Sequence, residues 1–136
     1  MRFATREWIE AAVAALQAQP DLGRALEGLG RDAALVVEAE PPAFPRTVAV
    51  HGAHEGGRIV RWRILADEDE VLELEPAYVL RAPYGVWKAL LQGGDPVRAA
   101  LSGRVQVEGD LEALVRRASY RYVVEAALRA VLTELA

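Results

Sequence analysis

Residues 77–114 leave the chain almost no slack. A short apolar run, Tyr78-Val79-Leu80, leads to Pro83, and a helical pattern then carries Tyr84, Trp87, Leu90 and Leu91 as far as Gly93. Asp95-Pro96 supplies a cap and the favoured first-turn proline for a second short helix. Gly103-Arg104-Val105-Gln106-Val107-Glu108-Gly109-Asp110 follows as a strand with Val105 and Val107 on one face, and Asp110 caps a helix through about Arg117. Strand, helix, helix, strand, helix in this space predicts a mixed α/β domain.

Upstream, residues 33–80 read as sheet. Residues 33–40 form one strand, Pro41, Pro42 and Pro45 break it, and residues 46–54 form the next. Glu55-Gly56-Gly57 is a tight hairpin, and pairing across it sets Gly52 opposite Val60, Val50 opposite Trp62 and Val48 opposite Ile64. The acidic loop 66–70 closes a further hairpin that sets Trp62 against Leu74 and Ile64 against Leu72. Val48, Val50, Val60, Trp62, Ile64, Leu72 and Leu74 then share an apolar face. The other face pairs Arg63 with Glu73 and Arg61 with Glu75, each pair contributing about 0.2–1 kcal/mol. A sheet apolar on one face takes helices on one side only.

The ends supply helices for that face. Thr5 N-caps a helix carrying Trp8, Ile9, Ala12, Val13 and Leu16, and Asp21 caps a short one through about Glu27, stopped by Gly28 and Gly30. The glycines at 28 and 30 fit a dinucleotide fingerprint in spacing only, because they follow a helix and open a strand, the reverse of the order that holds a pyrophosphate. Residues 119–135 read as one helix with a polar stripe of Arg121, Glu125 and Arg129. Val124, Leu128, Val131, Leu132 and Leu135 form a large apolar stripe beside a smaller-residue one of Val123, Ala126, Ala127 and Ala130. A helix so apolar must be covered on two sides.

Composition excludes several functions. A chain of 136 residues, 52% of them hydrophobic, reads as a single domain spanning 1–136 and buries roughly two thirds of its unfolded surface. No run reaches the ~18 apolar residues of a membrane span, and Arg2, Arg6, Glu7 and Glu10 stand where a signal peptide needs an apolar core, which predicts a cytoplasmic protein without stable membrane insertion. A net charge of −4 argues against nucleic acid, and the lack of cysteine removes disulfides and thiolate chemistry. His51 and His54, three apart on a strand, point to opposite faces and share no metal; they read as a solvent-facing strand residue and a turn residue. Ser102 and Ser119 lie in no nucleophile elbow, the acidic run 67–70 reads as a solvated loop, and Gly93-Gly94-Asp95 as a capped turn. With no nucleophile–base set to assemble, the chain is expected not to be an enzyme and to need no cofactor or metal.

What remains is apolar surface in the second half: Trp87, Leu90 and Leu91; Leu101, Val105 and Val107; Leu114, Val124 and Leu128. By periodicity alone these are an ordinary core. The order and spacing of Tyr78-Val79-Leu80, the Trp87 helix ending in Gly93, Asp95-Pro96 and the 103–110 strand, however, resemble the sterol carrier protein type 2 family in its free-standing bacterial form. That resemblance implies an α/β domain of the α+β type, with a twisted, mainly antiparallel sheet of about five strands. Helices would cover one face, and an apolar tunnel or slot between them would take a lipid or fatty acyl ligand such as fatty acid, acyl-CoA or a sterol. The nine side chains, read from their facing, would then line that slot. The chain ends Glu134-Leu135-Ala136, without the peroxisomal tripeptide of eukaryotic relatives. A bacterial setting favours fatty acid or acyl-CoA over sterol. The alternative is an interaction module whose apolar last helix packs on a second copy, giving a homodimer, or on an acyl-metabolising enzyme.

Overall fold

The structure, a computed structural model, describes residues 1–116, 119–131 and 133–135. Its elements in order are α1 (Arg6–Gln17), α2 (Leu22–Leu26), β1 (Asp32–Glu38), β2 (Val48–Glu55), β3 (Arg58–Ile64), α3 (Asp69–Leu74), β4 (Tyr78–Pro83), α4 (Tyr84–Leu91), α5 (Pro96–Leu101), β5 (Gln106–Glu108), α6 (Leu111–Arg116) and α7 (Ser119–Arg129). The caps read from the sequence are in place at three helices. Thr5 accepts from the Trp8 N–H, Asp95 from those of Val97 and Arg98, and Asp110 from that of Ala113.

The five strands form one sheet in the order β3-β2-β1-β4-β5. Neighbours are antiparallel except β1 and β4, which run parallel, so the sheet is mixed. That order explains the main departure from the expected pattern. After β3, at one edge, the chain must cross β2 and β1 to reach β4, and α3 makes the crossing. Residues 72–74 are therefore helix rather than strand, and the pairs Trp62/Leu74, Ile64/Leu72, Arg63/Glu73 and Arg61/Glu75 do not form. Val71 and Leu74, three apart on α3, pack on the sheet while Leu72 is 72% exposed. Asp67 accepts from the Glu70 N–H, and the Glu70 carboxylate accepts from the Ala66 N–H and pairs with Arg63 at 2.9 Å. The acidic run thus starts a helix where it was expected to close a hairpin.

The hairpin at Gly56-Gly57 is present, with Glu55 opposite Arg58, but a bulge beyond Ala53/His54 moves the register. Gly52 faces Trp62 and Val50 faces Ile64, two residues from the expected pairing. An even slip preserves side-chain parity, so Val48, Val50, Trp62 and Ile64 still share one face and Arg61 and Arg63 the other. Val60, at the bulge, is 49% exposed. Gly57 lies against α2, where a Cβ would stand 2.8 Å from the Gly23 Cα; only glycine permits that approach.

Helices occupy both faces, not one. On the α3 face, Ala34, Val36, Ala49 and Val79 pack with Leu65, Val71 and Leu74. On the other face Ala82, Ala99 and Val105 pack with α4, and Leu22, Ala25 and Val123 join α2 to α7. A cluster of Phe3, Ala4, Val37 and Tyr84 with Trp8, Phe44, Trp87, Leu91 and Leu135 closes one end. The last helix stops at Arg129 rather than running to Leu135, because Glu134 pairs its backbone with Arg2 and carries Leu135 into that cluster. Leu132 and Arg117 lie outside the described residues. None of the described helices is long and apolar enough to cross a membrane.

Candidate functional site

Register places one residue of each strand in a single row across the face opposite α3. Ile64 faces Val50, Val50 faces Leu35, Leu35 stands beside Leu80, and Leu80 faces Val107. All five are apolar and none is fully buried. Five strands at about 4.8 Å spacing make the row about 19 Å long. Leu35 is its centre, on the middle strand with a partner on each side, yet it is 40% exposed. A large apolar side chain in that position is ordinarily covered, so the helical layer has an opening above it.

The rows on either side show how the opening is bounded. Toward the C-terminal end of β1, Val37, Val48 and Ala82 lie under the aromatic cluster and α4; Val37 is 7% exposed and Ala82 1%. Toward its start lie Trp62, Gly52, Ala33 and the buried Tyr78, whose hydroxyl donates to the Asp110 carbonyl at 3.2 Å. The Arg6 guanidinium sits 5.9 Å from the centre of the Trp62 ring. The helical cover comes in two groups: α1, α2 and α7, which pack on one another and reach β3, and α4 with α5 on β4 and β5. They meet at the aromatic cluster, and between them Leu35 stays 40% exposed, an opening referred to below as the trough.

Four of the nine residues named from the sequence gather beside this row. Trp87, Leu90, Val105 and Val107 pack with Leu80, Val86, Ala82 and Ala99. Trp87 is fixed there by its indole N–H, which donates to the carbonyls of Val36 at 3.1 Å and Ala82 at 3.0 Å, tying α4 to the sheet. Leu91 joins the aromatic cluster instead. Leu101 is 63% exposed on α5, and Leu114 is half-buried on α6, in none of the four core clusters. On α7 the smaller-residue stripe is the one that packs, with Val123 and Ala127 buried, while Val124 is 38% exposed and Leu128 half-buried. Leu35, Val50, Ile64 and Leu80 were absent from that set. Alternation gave Val50 and Ile64 the right face, but only the parallel β1–β4 pairing puts Leu35 next to Leu80.

Charged groups collect on the opposite face. His51 is not solvent-facing: its Nε2 lies 2.8 Å from Asp32 Oδ2, with 12% of its side chain exposed. Asp32 also accepts from the Ala77 N–H at 2.9 Å. Burial pushes the Asp32 carboxyl up, but the bonds from His51 and Ala77 outweigh it and hold the group below its ordinary range. Arg81 pairs with Glu68 and lies 3.9 Å from Glu38. Ser102 donates to the Ala99 carbonyl and accepts from Arg104, an arrangement that finishes a helix rather than activating a nucleophile. No group of three His, Cys, Asp or Glu side chains able to hold a metal ion occurs among the described residues.

No family model matches the sequence, and no curated protein matches it. Solved structures do. A crystal structure of a sterol carrier protein 2 superposes with a TM-score of 0.77 at 24% identity, over 99% of this chain and 100% of that one. The solution structure of a conserved hypothetical protein from Thermus thermophilus, described as a possible sterol carrier protein, gives 0.76 at 24% identity over 96% and 91%. The apo form of sterol carrier protein 2 from Yarrowia lipolytica gives 0.56 at 9% identity over 88% of each chain. The resemblance read from residues 77–114 holds at the level of architecture: the chain has the fold of sterol carrier protein 2 over 99% of its length.

Proposed function

We propose that the protein binds a single-chain apolar lipid, a fatty acid or acyl-CoA, in the trough over Leu35, and carries it within the cell without transforming it. The observation behind this reading is the five-strand row Ile64-Val50-Leu35-Leu80-Val107, apolar throughout and open at its central residue. At about 1.2 Å per bond, its ~19 Å matches roughly sixteen carbons of extended chain. Each methylene removed from water contributes about 0.8 kcal/mol, so such a site holds a chain by burial alone and needs no reactive group. The fold shared with two sterol carrier protein 2 structures supports a lipid ligand in general terms.

Of the residues first named as lining, Trp87, Leu90, Val105 and Val107 would form one bank, and Val124 and Leu128 of α7 the other. Native mass spectrometry of freshly purified protein tests the proposal. A co-purifying mass of one acyl lipid per chain is expected; protein that stays free of lipid even after incubation with palmitate or palmitoyl-CoA would refute it.

A second reading rests on Tyr122, 70% exposed on α7: the side of the helix that carries it would pack on a second copy. A mass that doubles with concentration in analytical ultracentrifugation, together with an absence of bound lipid, would favour it.

A further inference from the structure

To one side of the trough row, beyond Val37 along β1, a separate cavity of about 260 Å³ opens between the N-terminal segment, the loop at 43–46 and the start of α4. Its walls are aromatic. Phe44 and Tyr84 stack nearly parallel, with centroids 4.9 Å apart, and Phe3 lies 6.2 Å from Tyr84. Val37 stands two residues from Leu35 on the same strand and face; it is 7% exposed and packed with Phe3 and Tyr84, which separates this cavity from the trough.

The rim carries Arg2, Arg46 and Glu134. Both arginines are exposed, and neither has an ion-pair partner among the described residues. The Glu134 carboxylate lies 3.6 Å from the Met1 amino group. In a protein of net charge −4, two guanidinium groups with no ion-pair partner among the described residues thus border an apolar space partly walled by Phe3, Phe44 and Tyr84. Guanidinium groups match carboxylates in charge and in their paired donors. At about 20–30 Å³ per non-hydrogen atom the cavity holds roughly ten atoms, the size of one aromatic ring with a short side chain.

We propose that this cavity is a second binding site, for a small carboxylate with a flat apolar body of the arylalkanoic class, its ring against Phe44 and Tyr84 and its carboxylate at Arg2 and Arg46. The test is a ¹⁵N-resolved NMR titration of the full chain with 3-phenylpropionate, with 3-phenylpropionamide as the uncharged control. Saturable shifts confined to residues 2–5, 43–48 and 84 are expected, with the amide bound at least about tenfold more weakly. The double variant Arg2→Gln/Arg46→Gln should lose at least about tenfold in affinity without a change in melting temperature, since neither guanidinium has an ion-pair partner among the described residues. Palmitate added at saturation should shift Leu35 and Leu80 and leave the phenylpropionate shifts in place. No saturable shift up to about 10 mM, equal binding of the amide, or an unaffected double variant would overturn the proposal. Displacement of phenylpropionate by palmitate would also overturn it, by making the cavity one end of the trough.

Discussion

The two faces of the sheet are built from the same strands and end differently. On the α3 face the central residues are small or β-branched, Ala34, Val36, Ala49 and Val79, and α3 comes close enough to exclude water from them. Ion pairs at Arg63/Glu70 and Arg81/Glu68 and the His51/Asp32 bond surround that contact. On the trough face the corresponding row holds Leu35, Val50, Ile64 and Leu80, yet no helix closes over its centre. The closed face is a packed core that fixes the fold, whereas the open face keeps apolar surface in water, a standing cost that a lipid would offset.

The sharpest way to break this comparison uses adjacent residues of β1. Val36 is 0% exposed on the closed face, and Val36→Asp should destabilise by about 4 kcal/mol, because a carboxylate would be taken out of water at a fully buried position and would compete with Glu68 for the adjacent Arg81. Leu35→Asp, one position earlier, should cost only about 1–2 kcal/mol, since the carboxylate reaches water through the trough. Urea denaturation of both variants checks the contrast, and equal losses would mean that the two faces are equally closed.

A smaller effect comes from the polar border of the closed face. The Asp32 carboxyl is held below its ordinary value of 3.8, so its contribution is present above that pH and is lost as pH falls through the lower, folded-state value. Asp32→Asn should therefore cost about 1 kcal/mol at pH 7, from the weakened bonds to His51 and Ala77. The gap between variant and parent should narrow steadily below pH 3.8. A gap independent of pH in thermal melts would show that the pairing contributes nothing through charge.

The smallest effects are expected at large apolar residues that belong to neither face. Leu72 and Leu101 are 72% and 63% exposed, and Leu72→Ser and Leu101→Ser should each stay within about 0.5 kcal/mol of the parent and leave lipid binding unchanged. A binding defect in Leu101→Ser would return that residue to the lining expected from its sequence pattern.

What the sequence disclosed follows the range of each interaction. Caps are local, and Thr5, Asp95 and Asp110 read correctly because each side chain bonds within three residues of itself. Strand facing is nearly local; it survived a two-residue register slip because the side-chain period is two. The segment Val71-Leu72-Glu73-Leu74 supports either period, and the crossing from β3 to β4, a property of the whole sheet, decided for helix. Of the proposed lining, the packing of Trp87, Leu90, Val105 and Val107 with one another was legible because they lie close along the stretch 87–107. The floor was not, because Leu35 and Leu80 are 45 positions apart in sequence and become neighbours only through the parallel pairing.

The most direct test of the open row is Leu35→Trp, followed by titration with a fluorescent fatty acid such as cis-parinaric acid and by a thermal melt of the same sample. The parent should bind one equivalent. The variant should bind at least about tenfold more weakly while melting within about 3 °C of the parent, because the indole enters open space. A parent that binds no fatty acid, or a variant that binds as tightly as the parent, would contradict the account. So would a variant that melts far lower, since overpacking a filled core costs about 1–3 kcal/mol.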